Sequence, residues 1–262
     1  MTAVATGAGR AGALGAPPPP GGEPHDLELS PSSVARLGDA DLVLYLSGFQ
    51  AATDQAVAAS DPAHAVDVAA AADLEAGPDG TEPGGSGSGP LDPHFWLDPT
   101  RLAAVGHQVA AELAEADPAH ADAFTAAAAD LAADLESLDA ELADGLAACR
   151  GATLVASHEA FGYLAERYGL HQVGISGVDP EVEPSPARLR DVAEVVRAEG
   201  VRTLYFEVLV SPKVTQTLAD QLGVATAVLD PLEGMAEHDD RDYLDVMRDN
   251  LDALATGLAC AA

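Results

Sequence analysis

An α/β fold built on a parallel sheet is what the C-terminal half of this chain predicts, because short apolar runs there alternate with helical stretches. A second observation extends the reading to the whole chain. Leu131, Leu135, Leu138, Leu142 and Leu146 recur at intervals of three and four, the spacing of one buried helical stripe. A third is the wide separation of the histidine-bearing turns around His25, His94 and His158. A local histidine cluster would suggest a small metal-stabilised module, whereas dispersed donors suggest a site assembled between folded lobes.

In chain order, residues 1–22 are Ala, Gly and Pro rich, with Pro17 to Pro20 in a row, and read as a disordered lead. Ser30-Pro31-Ser32-Ser33 supplies an N-cap and an early helical proline, so a short helix runs through Leu37. Asp41–Leu46 is an apolar run suited to a buried strand, and a helix follows from Phe49 to about Ala59. Residues 75–91, rich in Gly, Ser, Pro and acid, form an exposed loop. After Asp98-Pro99 one helix runs to about Ala116, and Asp117-Pro118 restarts a long one to about Cys149. A helix of that length reaches roughly 45 Å, enough to cross a domain and connect two halves. Strands follow at 153–156, 172–175, 203–206 and 225–229, with helices beginning near His158, Ser185, Ser211 and Arg241. The expected divisions are therefore a lead at 1–22, a first lobe at 23–116, a connecting helix at 117–149 and a second lobe at 150–262.

Composition narrows the function. The 262 residues carry 12 basic and 43 acidic side chains, a formal charge of −31. That balance argues against nucleic acid or an anionic membrane as partner. It is compatible with attracting cations, although an acidic surface also arises simply as a solvated face. No apolar stretch is long enough to span a bilayer. The start of the chain shows neither a signal-peptide hydrophobic run nor a lipid-anchor cysteine. Cys149 and Cys260 are the two cysteines. They lack a Cys-x-x-Cys spacing, which excludes a cysteine zinc site, and leave open either one disulfide or two thiols.

The chemistry concentrates in a few turns. Glu23-Pro24-His25-Asp26, Asp92-Pro93-His94-Phe95-Trp96-Leu97-Asp98-Pro99 and Ser157-His158-Glu159 each set an imidazole beside acid or proline. In open α/β sheets ligands gather beyond the carboxyl ends of strands. His158, Glu207 and Asp230 each follow a predicted strand, so independent strands deliver an imidazole and two carboxylates to one edge. Imidazole and carboxylate suit Zn²⁺, and His25, His94, His158 with Glu207 or Asp230 would close a tetrahedral shell. Taken singly, each of these residues is an ordinary turn or surface residue, and only their convergence carries the argument. His64, His107, His120, His171 and His238 read as solvated or structural. No phosphate-binding glycine fingerprint and no Gly-x-Ser-x-Gly elbow is present.

At these same residues the chain resembles the solute-binding proteins of zinc and manganese ABC importers. The likeness covers roughly residues 22–258. Asp92–Pro99 looks like the most recognisable motif of that family. Glu23–Pro31 is similar to its first ligand segment, Ser157–Tyr163 to its third, Gly177–Pro186, with Glu183–Pro186, to the stretch after the next strand, and Phe206-Glu207 and Leu229–Leu232 to its last two strand ends. The resemblance implies two α/β lobes joined by one long rigid helix, metal held in the cleft, and His25, His94, His158 and Asp230 as ligands, with Glu207 a less certain one. It implies Zn²⁺ rather than Mn²⁺, since manganese-type members tend to carry glutamate at the third position, where this chain has His158. It further implies an extracytoplasmic protein, expected as a monomer, that delivers zinc to an ABC permease and is no enzyme.

Two departures qualify this. The loop at 75–91 lacks the histidines that many zinc members carry there. Residues 1–22 resemble neither a signal peptide nor the opening strand and helix of the first lobe, so an incomplete N-terminal lobe with an unpaired sheet edge is expected, as in a truncated or mis-started chain. Other readings have distinct requirements. A zinc hydrolase needs an open coordination position with Glu207 or Glu159 as general base. A manganese-binding homologue keeps the scaffold with a different cargo, and a metal-binding adhesin keeps it for partner binding.

Overall fold

The computed structural model describes residues 3–6, 13–14, 24–25, 28–77, 91–208, 211–234 and 241–259. Two units are defined by internal contacts: Met1–Leu74 with Thr100–Glu136, and Glu75–Pro99 with Ser137–Ala262.

The first unit opens with strands β1 (Ala3–Thr6) and β2 (Ala13–Leu14), then α1 (Pro31–Gly38), β3 (Leu42–Tyr45), α2 (Ala51–Ser60), β4 (Ala65–Asp67) and α3 (Ala69–Ala72). It continues with α4 (Pro99–Ala116) and takes in the first part of α5 (Ala121–Gly145). Helix α1 starts where the sequence places it, with Ser30 accepting the Ser33 N–H and Pro31 in the first turn. The sheet runs in the order β2-β1-β3-β4. β3 and β4 pair in parallel, while β1 is antiparallel to both β2 and β3. Two expectations are corrected here. The lead is not wholly disordered, because β1 and β2 lie within it. Nor is β3 left as an unpaired edge. A backbone edge is a strong template, and β1 pairs along it. Leu37, Ala40, Val43, Ala56 and Val57 form a buried core under α1, β3 and α2.

The second unit is a regular β-α repeat: β5 (Thr153–Ala156), α6 (Gly162–Tyr168), β6 (His171–Gly174), α7 (Pro186–Ala198), β7 (Thr203–Phe206), α8 (Lys213–Leu222), β8 (Ala225–Val228) and α9 (Tyr243–Gly257). All three pairings are parallel, in the order β6-β5-β7-β8. Successive residues of one strand serve opposite faces. Leu154 and Ala156 enter one core with Phe161, Leu164 and Tyr205, whereas Val155 enters the other with Val173, Val192 and Leu204. The chain runs outward from β5 to β6 and then crosses back to β7, so the topological switch lies between β5 and β7.

Helix α5 has 25 residues, about 37 Å of rise. It begins after a short 3-10 turn at Pro118–His120 and is followed by another at Ala147–Cys149. The boundary between the units falls inside it. Leu135, Leu138, Leu142 and Leu146 are buried as the stripe predicts, but Leu131 is 41% exposed. The expected division at residue 116 also differs, since Glu75–Pro99 belongs with the second unit. The hydrogen bonds explain this. Trp96 Nε1 donates to the Pro231 carbonyl at 2.8 Å, and Tyr243 Oη donates to the Trp96 carbonyl at 2.7 Å. Cys149 is buried and disulfide-bonded, while Cys260 lies outside the described residues. So do residues 78–90 of the acidic loop. No helix among the described residues is long and apolar enough to cross a membrane.

Candidate metal centre

The carboxyl edge of the parallel sheet carries the chemistry. His158 follows β5 and Glu207 follows β7, one on each side of the switch point. His158 and Glu207 are both buried, and His158 Nδ1 hydrogen-bonds Glu207 Oε1 at 2.6 Å. Ser157 Oγ donates to the same carboxylate oxygen. The bond at Nδ1 fixes the ring and turns Nε2 toward His94.

His94 sits in the turn before a 3-10 helix at Phe95–Leu97 and is fully buried. Asp92 Oδ1 accepts the His94 backbone N–H at 3.0 Å and meets the ring at Nδ1, 2.6 Å away. Tyr163 Oη holds this turn by donating to the Asp92 carbonyl at 2.8 Å. On the other side of the ring, Nε2 lies 2.6 Å from Glu233 Oε1 and 3.5 Å from His158 Nε2. His158 Nε2 is 3.6 Å from the same Glu233 oxygen.

Three donor atoms therefore converge from three segments, and His94, His158 and Glu233 offer ligand atoms within 4.8 Å of one another. A zinc ion bound at about 2.0–2.1 Å in tetrahedral geometry sets its ligand atoms about 3.3 Å apart. Two of the three separations are close to that value, and the shortest needs to open by well under an ångström. Asp92 and Glu207 each occupy the far ring nitrogen of an imidazole, the arrangement in which a carboxylate orients a histidine ligand.

The electrostatics fit a cation site. Burial alone would lower the His94 pKa, but the carboxylates of Asp92 and Glu233 outweigh it and raise it to about 9. Burial likewise opposes the charge on His158, where Glu207 and Glu233 prevail and raise it to about 10. Without metal, protons supply the positive charge that these carboxylates require.

Asp230, expected as a ligand, faces a different task. Its Oδ1 accepts the Leu232 N–H at 2.8 Å, and Asn250 bonds both its backbone N–H and its carbonyl. This turn, with Leu232 at φ 58°, carries the chain to Glu233. Among the described residues the donor group takes in Glu233, three residues beyond the strand end, where the sequence points to Asp230. Glu207 meets His158 Nδ1, the position of an orienting carboxylate. His25 belongs to the other unit, where its ring stands edge-on to Phe49 with centroids 5.0 Å apart. The adjoining Pro24 carbonyl accepts Gln50 Nε2 at 2.8 Å. Of the other histidines, His64 lies 3.1 Å from Glu112 and His120 lies 2.7 Å from Asp117, while His238 lies outside the described residues.

Fold and donor set define the class: an α/β protein whose parallel sheet presents a buried histidine and carboxylate group able to hold a metal ion. The chain belongs to the family of zinc-uptake complex component A, periplasmic (ZnuA), whose pattern matches residues 16–257. It is 34% identical over 248 residues to the high-affinity zinc uptake system protein ZnuA of Bacillus subtilis, covering 90% of this chain and 77% of that protein. It is 35% identical over 245 residues to the zinc-binding lipoprotein AdcA of Streptococcus pneumoniae strain R6, covering 89% of this chain but 49% of AdcA, so the chain spans about half the length of that relative. The crystal structure of the Zn(II)-bound ZnuA-like domain of Streptococcus pneumoniae AdcA aligns with a TM-score of 0.73 at 34% identity, over 90% of this chain and 86% of that one.

Proposed function

We propose that this protein captures Zn²⁺ outside the cytoplasm and delivers it to the permease of an ABC importer. The observation that carries the reading is the convergence of His94 Nε2, His158 Nε2 and Glu233 Oε1 in a buried group. His25 serves as the fourth ligand. The first-segment motif Glu23–Asp26 and membership of a zinc-uptake family support that role. Three imidazoles and one carboxylate favour Zn²⁺ over the harder Mn²⁺, which prefers oxygen donors.

Four protein donors close a tetrahedral shell and leave no position for an activated water, so the protein acts as a binder and not as a hydrolase. Neither candidate general base is suited to that role. Glu159 is paired with Arg188, and Glu207 is engaged by His158 and Ser157. Binding is reversible by protonation because the imidazoles coordinate only in the neutral form.

Calorimetric titration of Zn²⁺ and Mn²⁺ at controlled pH tests the reading. The expected result is one tight zinc site, much weaker manganese binding, and a loss on the order of 100-fold or more in zinc affinity for His94→Ala, with helical content retained. Equal affinity of wild type and His94→Ala for zinc would remove His94 from the site.

A further inference from the structure

The residue after His158, Glu159, forms a buried ion pair with Arg188. We propose that Glu159 and Arg188 are positioning residues that hold the His158 loop, and this role rests on the zinc-binding reading above. Arg188 Nη2 bonds Glu159 Oε1 at 2.7 Å, with side chains 10% and 1% exposed. The same guanidinium reaches the Gly174 carbonyl through Nη2 at 2.8 Å and Nε at 3.2 Å. Arg188 is itself fixed at the start of α7, where Ser185 Oγ accepts its backbone N–H at 3.1 Å.

The grip on Glu159 comes from several segments at once. Its backbone N–H donates to the Gly177 carbonyl at 2.9 Å, and Ser176 N–H donates to the Ser157 carbonyl at 2.8 Å. Its side chain crosses directly over Gly174, where an added Cβ would overlap both Glu159 Cγ and the Ser176 carbonyl. The residue immediately after His158 is thus clamped by the end of β6, the following loop and the start of α7. Glu207, from the end of β7, separately holds the ring at Nδ1. Together the two restraints fix both the backbone and the imidazole of one donor.

Energetics favour this role over a stabilising one. Removing a carboxylate and a guanidinium from water is costly, and their attraction balances that cost only when all remaining groups are satisfied. Here Glu159 Oε2 and Arg188 Nη1 are buried with no hydrogen-bond partner among the described residues. Apolar residues of similar volume would serve stability at least as well. What they could not do is hold one carboxylate against one carbonyl with the directionality of a guanidinium fork.

The test follows from that comparison. Glu159→Met combined with Arg188→Leu removes the pair and keeps the packing volume. The first readout needs no metal: the hydrogen-bonded Nδ1–H proton of His158, assigned by its loss in His158→Gln. It is expected to shift or broaden in the double variant, while amide dispersion elsewhere is preserved. The second readout is zinc affinity, expected to fall about tenfold. An unchanged His158 resonance, or a zinc affinity within twofold of wild type, would overturn the proposal. Should the double variant fail to fold, the isosteric Glu159→Gln is read in the same way. Should wild type bind no zinc, the transport reading fails, and the resonance alone decides the positioning role.

Discussion

Asp230 and Glu233 are carboxylates three residues apart on one loop, and their environments assign them different work. Asp230 accepts a backbone N–H and shapes the turn, whereas Glu233 lies within 2.6 Å of His94 Nε2. An asparagine at 230 keeps an oxygen able to accept that N–H, but a glutamine at 233 gives up the negative charge that a dication requires. Glu233→Gln is therefore expected to weaken zinc binding at least tenfold more than Asp230→Asn does, measured by competition with a zinc chelator. The reverse order would return the ligand role to Asp230. His94 and His158 were legible in the sequence because proline and strand ends mark their turns. Glu233 was not, because its direction depends on a left-handed residue, Leu232, that no residue type announces.

The elements show the same contrast between what periodicity fixes and what packing decides. The leucine stripe correctly marks a buried face at Leu135, Leu138 and Leu142 in α5 and at Leu146 just beyond it, yet its first member, Leu131, is exposed. Spacing defines a face of a helix, but whether that face is covered at a given turn depends on neighbours distant in sequence. Leu142→Ala should cost about 2–5 kcal/mol, as a cavity in a closed core does. Leu131→Ala should cost about 1 kcal/mol or less. Urea unfolding of the metal-free protein measures both, and comparable losses would mean that Leu131 is packed as tightly as the rest. The β-α alternation likewise announced the strands β5 to β8 and the helices after them. It did not announce their order, β6-β5-β7-β8, which puts His158 and Glu207 on the two sides of the switch point. Strand order is set by which crossovers pack, and those contacts leave no local mark on the chain. For a similar reason Ala3–Thr6 has too weak a pattern to mark a strand alone and becomes one by pairing with β3.

For the molecule as a whole, protons and zinc compete for the same buried charge. The formal charge of −31 sets the background, a field that draws in cations and weakens as salt screens it. Within that field the His94 and His158 imidazoles are held near 9 and 10 by their carboxylate neighbours. Both values lie above the unfolded value near 6.5. The stability these imidazoliums contribute is therefore fully present below about pH 6.5 and is lost as pH rises through 9 and then 10. Zinc must displace the same protons, so its affinity should rise with pH between 6 and 8, by about tenfold per pH unit for each proton released. Binding to the folded state alone then stabilises by about 2.7 kcal/mol when free zinc is 100 times Kd. The zinc-induced rise in melting temperature should thus be larger at pH 8 than at pH 6 at one fixed free-zinc concentration, and calorimetry in buffers of different ionisation enthalpy should count the protons released. A zinc effect independent of pH, with no proton released, would show that His94 and His158 are already neutral in the metal-free protein, and that the close Asp92, Glu207 and Glu233 carboxylates do not hold them charged.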